Sequence, residues 1–263
     1  MVNIVAINLL AIIRDRVFHG ILVVALLFLL IPSISSLSMR QVTELSITLS
    51  LSLLSFILLL LSISLGATSL WKDIERRYTY SVLSLPLDRG TFLVGKFVSV
   101  TLFLLLATFV MGAVACAMIW LSSGIYPSER PIVWWNLVAC IGADVLKYTV
   151  LVAYAFLFST LSTSFFLPIF GTISVFLAGN ATQQAYDYVH SQAAKTLPAL
   201  VKNAASFLYY LLPNFSAFDL KVNAIYGIPL TAKALYLPVL YFCIYTSLLI
   251  IAATAIFSRS EMK

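Results

Sequence analysis

The sequence predicts an all-α integral membrane protein with six transmembrane helices, and three observations predict it. Hydrophobic residues fill 62% of 263 positions and charged residues only 10%, with a mean hydropathy of +1.03, so polar side chains are too few to cover a water-soluble globule. Apolar runs of roughly 20 residues recur along the chain, the length a helix needs to cross a hydrocarbon core of about 30 Å. The charges that do occur gather at the ends of those runs. A chain of this length accommodates roughly five to seven spans with modest loops and leaves no room for a large soluble domain.

Residues 3–16 are apolar and close on Arg14-Asp15-Arg16, the pattern of a short interfacial helix lying along the membrane. No small-residue cleavage site follows, so the first span, 17–37, is expected to be retained. Its Pro32 falls near an interface, where freed backbone groups are easily satisfied. After a turn marked by Arg40 and Glu44, the second span covers 45–70, and the charge-dense stretch 71–89 follows it. The third, 91–121, is long enough to tilt or project. A loop with Gly124, Pro127, Pro131 and the interfacial pair Trp134-Trp135 leads to the fourth span, 136–161. A Ser-Thr-Ser turn separates it from the fifth, 165–181, which contains Pro168 and Gly171. An amphipathic stretch around 186–207 and a Pro/Asn/Gly-rich run precede the sixth span, 235–257.

Short loops rich in Lys and Arg stay in the cytoplasm. With the N-terminus inside, Arg14, Arg16, Lys72, Arg76, Arg77, Arg89, Lys96, Arg259 and Lys263 fall on the cytoplasmic side. Arg40, Arg130, Lys195, Lys202, Lys221 and Lys233 fall outside, four of them in one long loop where the rule is weak. The expectation is a multi-pass protein of the cell inner (cytoplasmic) membrane with both termini cytoplasmic. The net charge of +6 does not indicate nucleic acid, because the basic residues flank apolar runs and form no continuous patch. Cys116, Cys140 and Cys243 lie far apart in apolar stretches, without metal-ligand spacing, and read as inert buried thiols. His19 and His190 fall on opposite predicted faces of the membrane, so no metal site is expected.

In the charged stretch, Trp71, Ile74, Tyr78, Val82 and Leu85 recur at three- and four-residue steps, giving a helix one apolar face, and Pro86 stops it. An amphipathic cytoplasmic helix tied directly to two spans suits a surface on which a soluble motor pushes, since charges give docking specificity. It also suits a helix lying on lipid headgroups.

The run Glu75-Arg76-Arg77-Tyr78-Thr79-Tyr80, followed by Leu83, Pro86, Arg89, Phe92, Leu93, Gly95 and Lys96, resembles the signature of type 2 ABC export permeases. It is most similar to the branch associated with maturation of multicopper enzymes, including the permease of nitrous oxide reductase maturation. Arg14-Asp15-Arg16, and Leu212-Pro213-Asn214 with Phe218, agree with the family near the two ends of the chain. Tyr78 departs from it, standing where the family passes directly from the second Arg to Thr.

The resemblance implies a permease dimer, as a homodimer or close heterodimer, gripped by two copies of a separate ABC ATPase that holds ATP and magnesium. This chain then carries no cofactor and no catalytic residue. Docking falls by that analogy on Glu75, Arg76 and Arg77 within a coupling helix that includes Trp71, Ile74, Tyr78, Val82 and Leu85. Arg89 and Lys96 are expected to snorkel and anchor the next span at the headgroups.

Asp144 and Lys147 lie about ten residues into the fourth span, where an unpaired charge costs roughly 2.5 to 3.5 kcal/mol. Their spacing puts them on one face, as a structural ion pair or as the polar lining of a substrate route. In the second span Thr48, Ser52, Ser55, Ser62, Gly66 and Ser69 form a small-residue stripe, fit for close helix packing or for a translocation surface at a dimer seam. The aromatics Tyr186, Tyr188, Tyr209, Tyr210, Phe215, Phe218 and Tyr226 suit interfacial anchoring. By resemblance, this segment with Pro213, Asn214, Phe215 and Phe218 is an outer gate.

Two rival functions stand beside ATP-driven export. A membrane-embedded enzyme needs converging nucleophiles, paired carboxylates or metal motifs, and the sequence holds no Walker A, Gly-x-Ser-x-Gly or His-Glu-x-x-His. A mechanotransmission subunit would pass ATP-driven motion to an outer or periplasmic accessory protein without moving substrate. Secondary transport is disfavoured by the lack of a visible inverted repeat.

Overall fold

The computed structural model describes residues 2–14, 19–20, 23, 26–36, 41–75, 89–125, 131–162, 164–191 and 198–259. The described residues are mostly helical, without strands, and are assembled as a membrane-embedded bundle. Helix α1 covers Val2–Ile13, and a 3-10 turn Leu26–Leu30 runs into the short α2, Ile31–Ser35, which carries Pro32 in its first turn. The long helices α3, Val42–Glu75, and α4, Arg89–Ile125, follow. Next come α5, Trp134–Leu161, and α6, Phe166–His190. Helix α7 is Ala199–Leu211, and a 3-10 turn Phe215–Phe218 precedes α8, Lys221–Tyr226. The last helix, α9, is Ala232–Arg259.

Four helices, α3, α4, α5 and α9, are long and apolar enough to cross a membrane. They contain the second, third, fourth and sixth expected spans, each extended by a few residues at one or both ends. The fifth expected span, 165–181, sits inside the 25-residue α6, which does not stop at 181 but runs on through Gln183, Asp187 and His190. Helix is favoured there because Gln183 and Asp187, one turn apart, hydrogen-bond at 2.9 Å. Of the first expected span, 17–37, residues 17–18, 21–22, 24–25 and 37 lie outside the described residues, and Leu26–Ser35 is an apolar helical piece shorter than a crossing needs.

Helix α5 is the axis of the bundle. It packs against α3, α4, α6, α8 and α9, while α1 lies against α4. The core between α3, α4 and α5 is built from Leu51, Leu54, Ile57, Leu58, Phe103 and Phe156, all essentially without exposure. Gly66 sets the closeness of α3 and α5. A Cβ there would stand 2.8 Å from the Ala155 Cβ and 3.5 Å from the Val152 Cα, so only glycine allows this crossing. Beside it the Ser159 hydroxyl reaches the Ala67 carbonyl at 3.5 Å, as well as its own Ala155 carbonyl at 2.8 Å.

Helices α5 and α9 run parallel. At the start of α5, the Asn136 amide donates to the carbonyls of Asn223 and Ile228, at 2.9 and 2.8 Å, just before α9 begins. Further along both helices, the hydroxyls of Tyr154 and Tyr245 meet at 2.8 Å. Gly227, left-handed at φ 65°, ends α8 and turns the chain toward α9. Pro238 inside α9 is buried against its neighbours, where a missing backbone donor is tolerated.

Candidate functional site

The polar side chains of the interior are not scattered. Ser55 from α3 and Tyr148 from α5 share a hydrogen bond of 2.7 Å in the buried α3–α5 contact. One turn before Tyr148 stands Asp144, 3% exposed, with the Ser55 hydroxyl beside it and an Oδ2 that has no hydrogen-bond partner. The cations acting on it are Lys221 of α8 and Lys147 of its own helix.

The expected ion pair between Asp144 and Lys147 is not formed. The Lys147 ammonium instead lies over two rings, 5.6 Å from the centre of Tyr148 and 5.3 Å from that of Phe176 on α6. Those rings stack on each other at 6.3 Å. A cation held on aromatic faces keeps part of its stabilisation without a carboxylate.

Phe176 leads on to a buried turn. Its ring lies 6.1 Å from that of Phe215, which is fully buried in the 3-10 turn that follows α7. Phe218, also buried, meets Tyr241 of α9 edge-on at 5.9 Å. The turn is anchored by Asn214. Its backbone N–H donates to the Tyr241 hydroxyl at 3.0 Å, its amide donates to Gln183 Oε1 at 2.6 Å, and its Oδ1 accepts from the Ser216 N–H at 3.1 Å. Gly179 makes room for it on α6, since a Cβ there would lie 2.6 Å from both the Pro213 carbonyl oxygen and the Phe215 ring. Pro213, Asn214, Phe215 and Phe218 thus form one wedge among α5, α6 and α9. Behind it, Tyr186 stacks on Tyr209 at 4.3 Å and ties α6 to α7.

A groove of about 630 Å³ opens between this wedge and α9. Tyr209, Tyr210, Leu212, Asn214, Leu237, Tyr241 and Tyr245 line it, and Lys233 stands at its rim.

Of the small-residue stripe, Ser55, Ser62 and Gly66 are buried, Ser55 and Gly66 against α5, and Ser62 bonds its own helix at the Leu59 carbonyl. Thr48 is half-buried with its hydroxyl on the Glu44 carbonyl, and Ser52 is exposed. Ser69 contributes through its backbone. Its carbonyl accepts from the Lys96 ammonium at 2.5 Å.

Lys96 corrects an expectation. It does not extend to the headgroups but is 4% exposed between α3 and α4, with the Phe92 ring 5.6 Å away. Held there, the ammonium is kept from lipid by a backbone carbonyl that accepts its charge-assisted hydrogen bond and by the aromatic ring beside it. At the other end of the same pair, Ser46 and Ser122 hydrogen-bond at 3.1 Å. The two long helices are therefore clamped at both ends.

Of the expected docking helix, Trp71, Ile74 and Glu75 continue α3 without a break. Trp71 meets Phe165, in the α5–α6 turn, at 4.8 Å between ring centres. Arg76, Arg77, Tyr78, Val82 and Leu85 lie outside the described residues.

The thiols divide differently from expectation. Cys140 is buried and Cys116 half-buried, but Cys243 is exposed because α9 sits at the edge of the bundle. Among the described residues no three His, Cys, Asp or Glu side chains are grouped to hold a metal.

Asn136, Gly179, Gln183 and Tyr241 carry much of this geometry and were not singled out by sequence. Asn136 had a readable signal, a carboxamide at the start of an apolar span behind two tryptophans.

The class defined by these features is a helical, membrane-embedded protein with a polar cluster inside its bundle and a buried 3-10 turn wedged among its helices. No family model matches the chain, and no curated protein matches it.

Proposed function

We propose that the chain is the transmembrane permease subunit of an ABC transporter, coupling ATP hydrolysis by a separate ATPase to outward movement of a substrate. The observation that carries this reading is the pair of over-long helices on either side of the charged segment. α3 with 34 residues and α4 with 37 extend for about 51 and 55 Å at 1.5 Å per residue, well beyond a hydrocarbon core of about 30 Å. α3 passes the α5–α6 turn at Trp71 and is described for one turn more, and the Lys96–Ser69 clamp makes the two helices move together on that side. Force applied to residues 72–88 is thereby passed to both helices at once.

The parallel course of α5 and α9 supports more than four crossings. The chain between them has to return across the membrane, and α6 at about 37 Å is long enough to do so. With 17–37 as a further span, the total is six, with both termini in the cytoplasm of a cell bounded by an inner membrane. The wedge at Asn214 to Phe218 then closes the outer end. The groove beside it offers an amphipathic substrate an apolar wall and a basic rim. A second permease copy and two ATPase copies, the latter holding ATP and magnesium, complete the transporter.

The test is co-purification in mild detergent with an ATPase encoded beside this chain, comparing wild type with Glu75→Arg plus Arg77→Glu. A stoichiometric ATPase on the wild type, lost from the charge-swapped protein while it still inserts, is the expected result. Absence of any bound ATPase under all nucleotide conditions sinks the reading.

A further inference from the structure

We propose that Asp144 is a proton-binding site whose occupancy positions Lys147 and, through Phe176, sets how tightly the Phe215 wedge is held. A carboxylate 3% exposed with an unpartnered Oδ2, inside a bilayer-spanning helix, is far costlier charged than neutral. Lys147 is one turn away on the same helix and can reach it, yet rests on the rings of Tyr148 and Phe176. That arrangement is the one expected when Asp144 carries a proton and offers no negative charge.

The titratable and charged groups facing Asp144 are Lys147, Cys140 and Tyr148 from its own helix, and Lys221 and Asp219 from the outer segment. Ser55 of α3 places its hydroxyl beside it, bonded in turn to Tyr148. The proton comes from outer water and returns to it, on the side where Asp219 is exposed and Lys221 half-buried. No bond other than O–H forms or breaks.

Loss of the proton creates a carboxylate that draws the Lys147 ammonium off the rings. Phe176 then loses the cation that sits on its face and loosens its 6.1 Å contact with Phe215. Acid therefore favours the seated wedge and alkali the released one. This goes beyond the proposed ATPase coupling and rests on that reading only for the side of the membrane named as outer.

The first measurement is an infrared pH titration of the full chain in lipid nanodiscs, with Asp144→Asn as reference. The expected spectrum holds a protonated-carboxyl band that titrates, shifts on carbon-13 aspartate labelling and is missing from Asp144→Asn. If that variant fails to fold, Asp144→Glu takes its place as reference, since a glutamate band at this position no longer shifts on carbon-13 aspartate labelling.

The second measurement is the rate of maleimide reaction at Ser216→Cys, read at that residue by mass spectrometry. Dividing the rate in the parent chain by the rate in Asp144→Asn at each pH cancels the thiol's own titration. The ratio is expected to rise several-fold from acid to alkaline conditions. A missing aspartate band, or a ratio flat with pH, overturns the proposal, and neither readout involves an ATPase.

Discussion

Helices α5 and α9 are both 28 residues long, run side by side, and are opposite in placement. The most apolar stretch of α5 has a hydropathy of 1.6 and is 67% buried, whereas that of α9 has a hydropathy of 2.2 and is only 17% buried. The more apolar helix is the more exposed one. In water the order would be reversed, because burial of apolar area is what drives a helix inward. In a bilayer, lipid is as apolar as leucine, so α9 gains little by hiding. Polar groups gain by going inside, and α5 buries Asn136, Asp144, Tyr148, Thr149 and Ser159. The position of a helix in this bundle therefore follows from what it must keep from lipid.

That contrast is most sharply broken at the axis. Gly66→Leu drives a side chain into Ala155 and the Val152 backbone, where neither helix has slack. The expected loss is about 3 kcal/mol, the upper end for an overpacked core. Reactivity of the buried Cys140 thiol during graded denaturation in mixed micelles reads it. Stability unchanged within about 0.5 kcal/mol would mean that α3 and α5 do not cross there.

Asn136→Leu tests the polar half of the same argument. It removes the donor to the Asn223 carbonyl and leaves the Ile228 carbonyl only the long 3.4 Å bond from the Asn223 amide. A loss of about 1 to 3 kcal/mol is expected, with faster proteolysis of the segment between α8 and α9 as its local sign. Equal protease resistance in both proteins would show that this corner is held by something else.

The sequence carried the α-helical membrane character and four spans with little ambiguity, because an apolar run of that length has few other uses. It also drew attention to Asp144, Lys147, Ser55 and Gly66, since charges and a stripe of small residues stand out within apolar spans. Where the reading failed, the answer depended on neighbours. Lys96 looked like a headgroup anchor because nothing in its own segment shows that the Ser69 carbonyl is within reach. The pairing of Asp144 with Lys147 looked natural at three residues, but the rings of Tyr148 and Phe176 compete for the ammonium, and Phe176 comes from another helix. The seating of Phe215 depends on Gly179, which is distant in sequence and marked only by the lack of a side chain.

The smallest effect is expected on the outward face of α9. Leu248 and Ile251 are 61% and 64% exposed in the single chain, so Leu248→Ala and Ile251→Ala remove little protein contact. Each should change stability by less than about 0.5 kcal/mol in the Cys140 assay, in contrast to Gly66→Leu. Lipid refills the space a lost leucine leaves, so no cavity term accompanies the substitution as it does in a protein core. A loss well above that bound, and one that grows as protein is diluted in lipid, would mean that this face is packed against a second copy. In that event α9 would owe its low burial to the missing neighbour, and the rule drawn from its contrast with α5 would apply to the bundle's true outer helices instead.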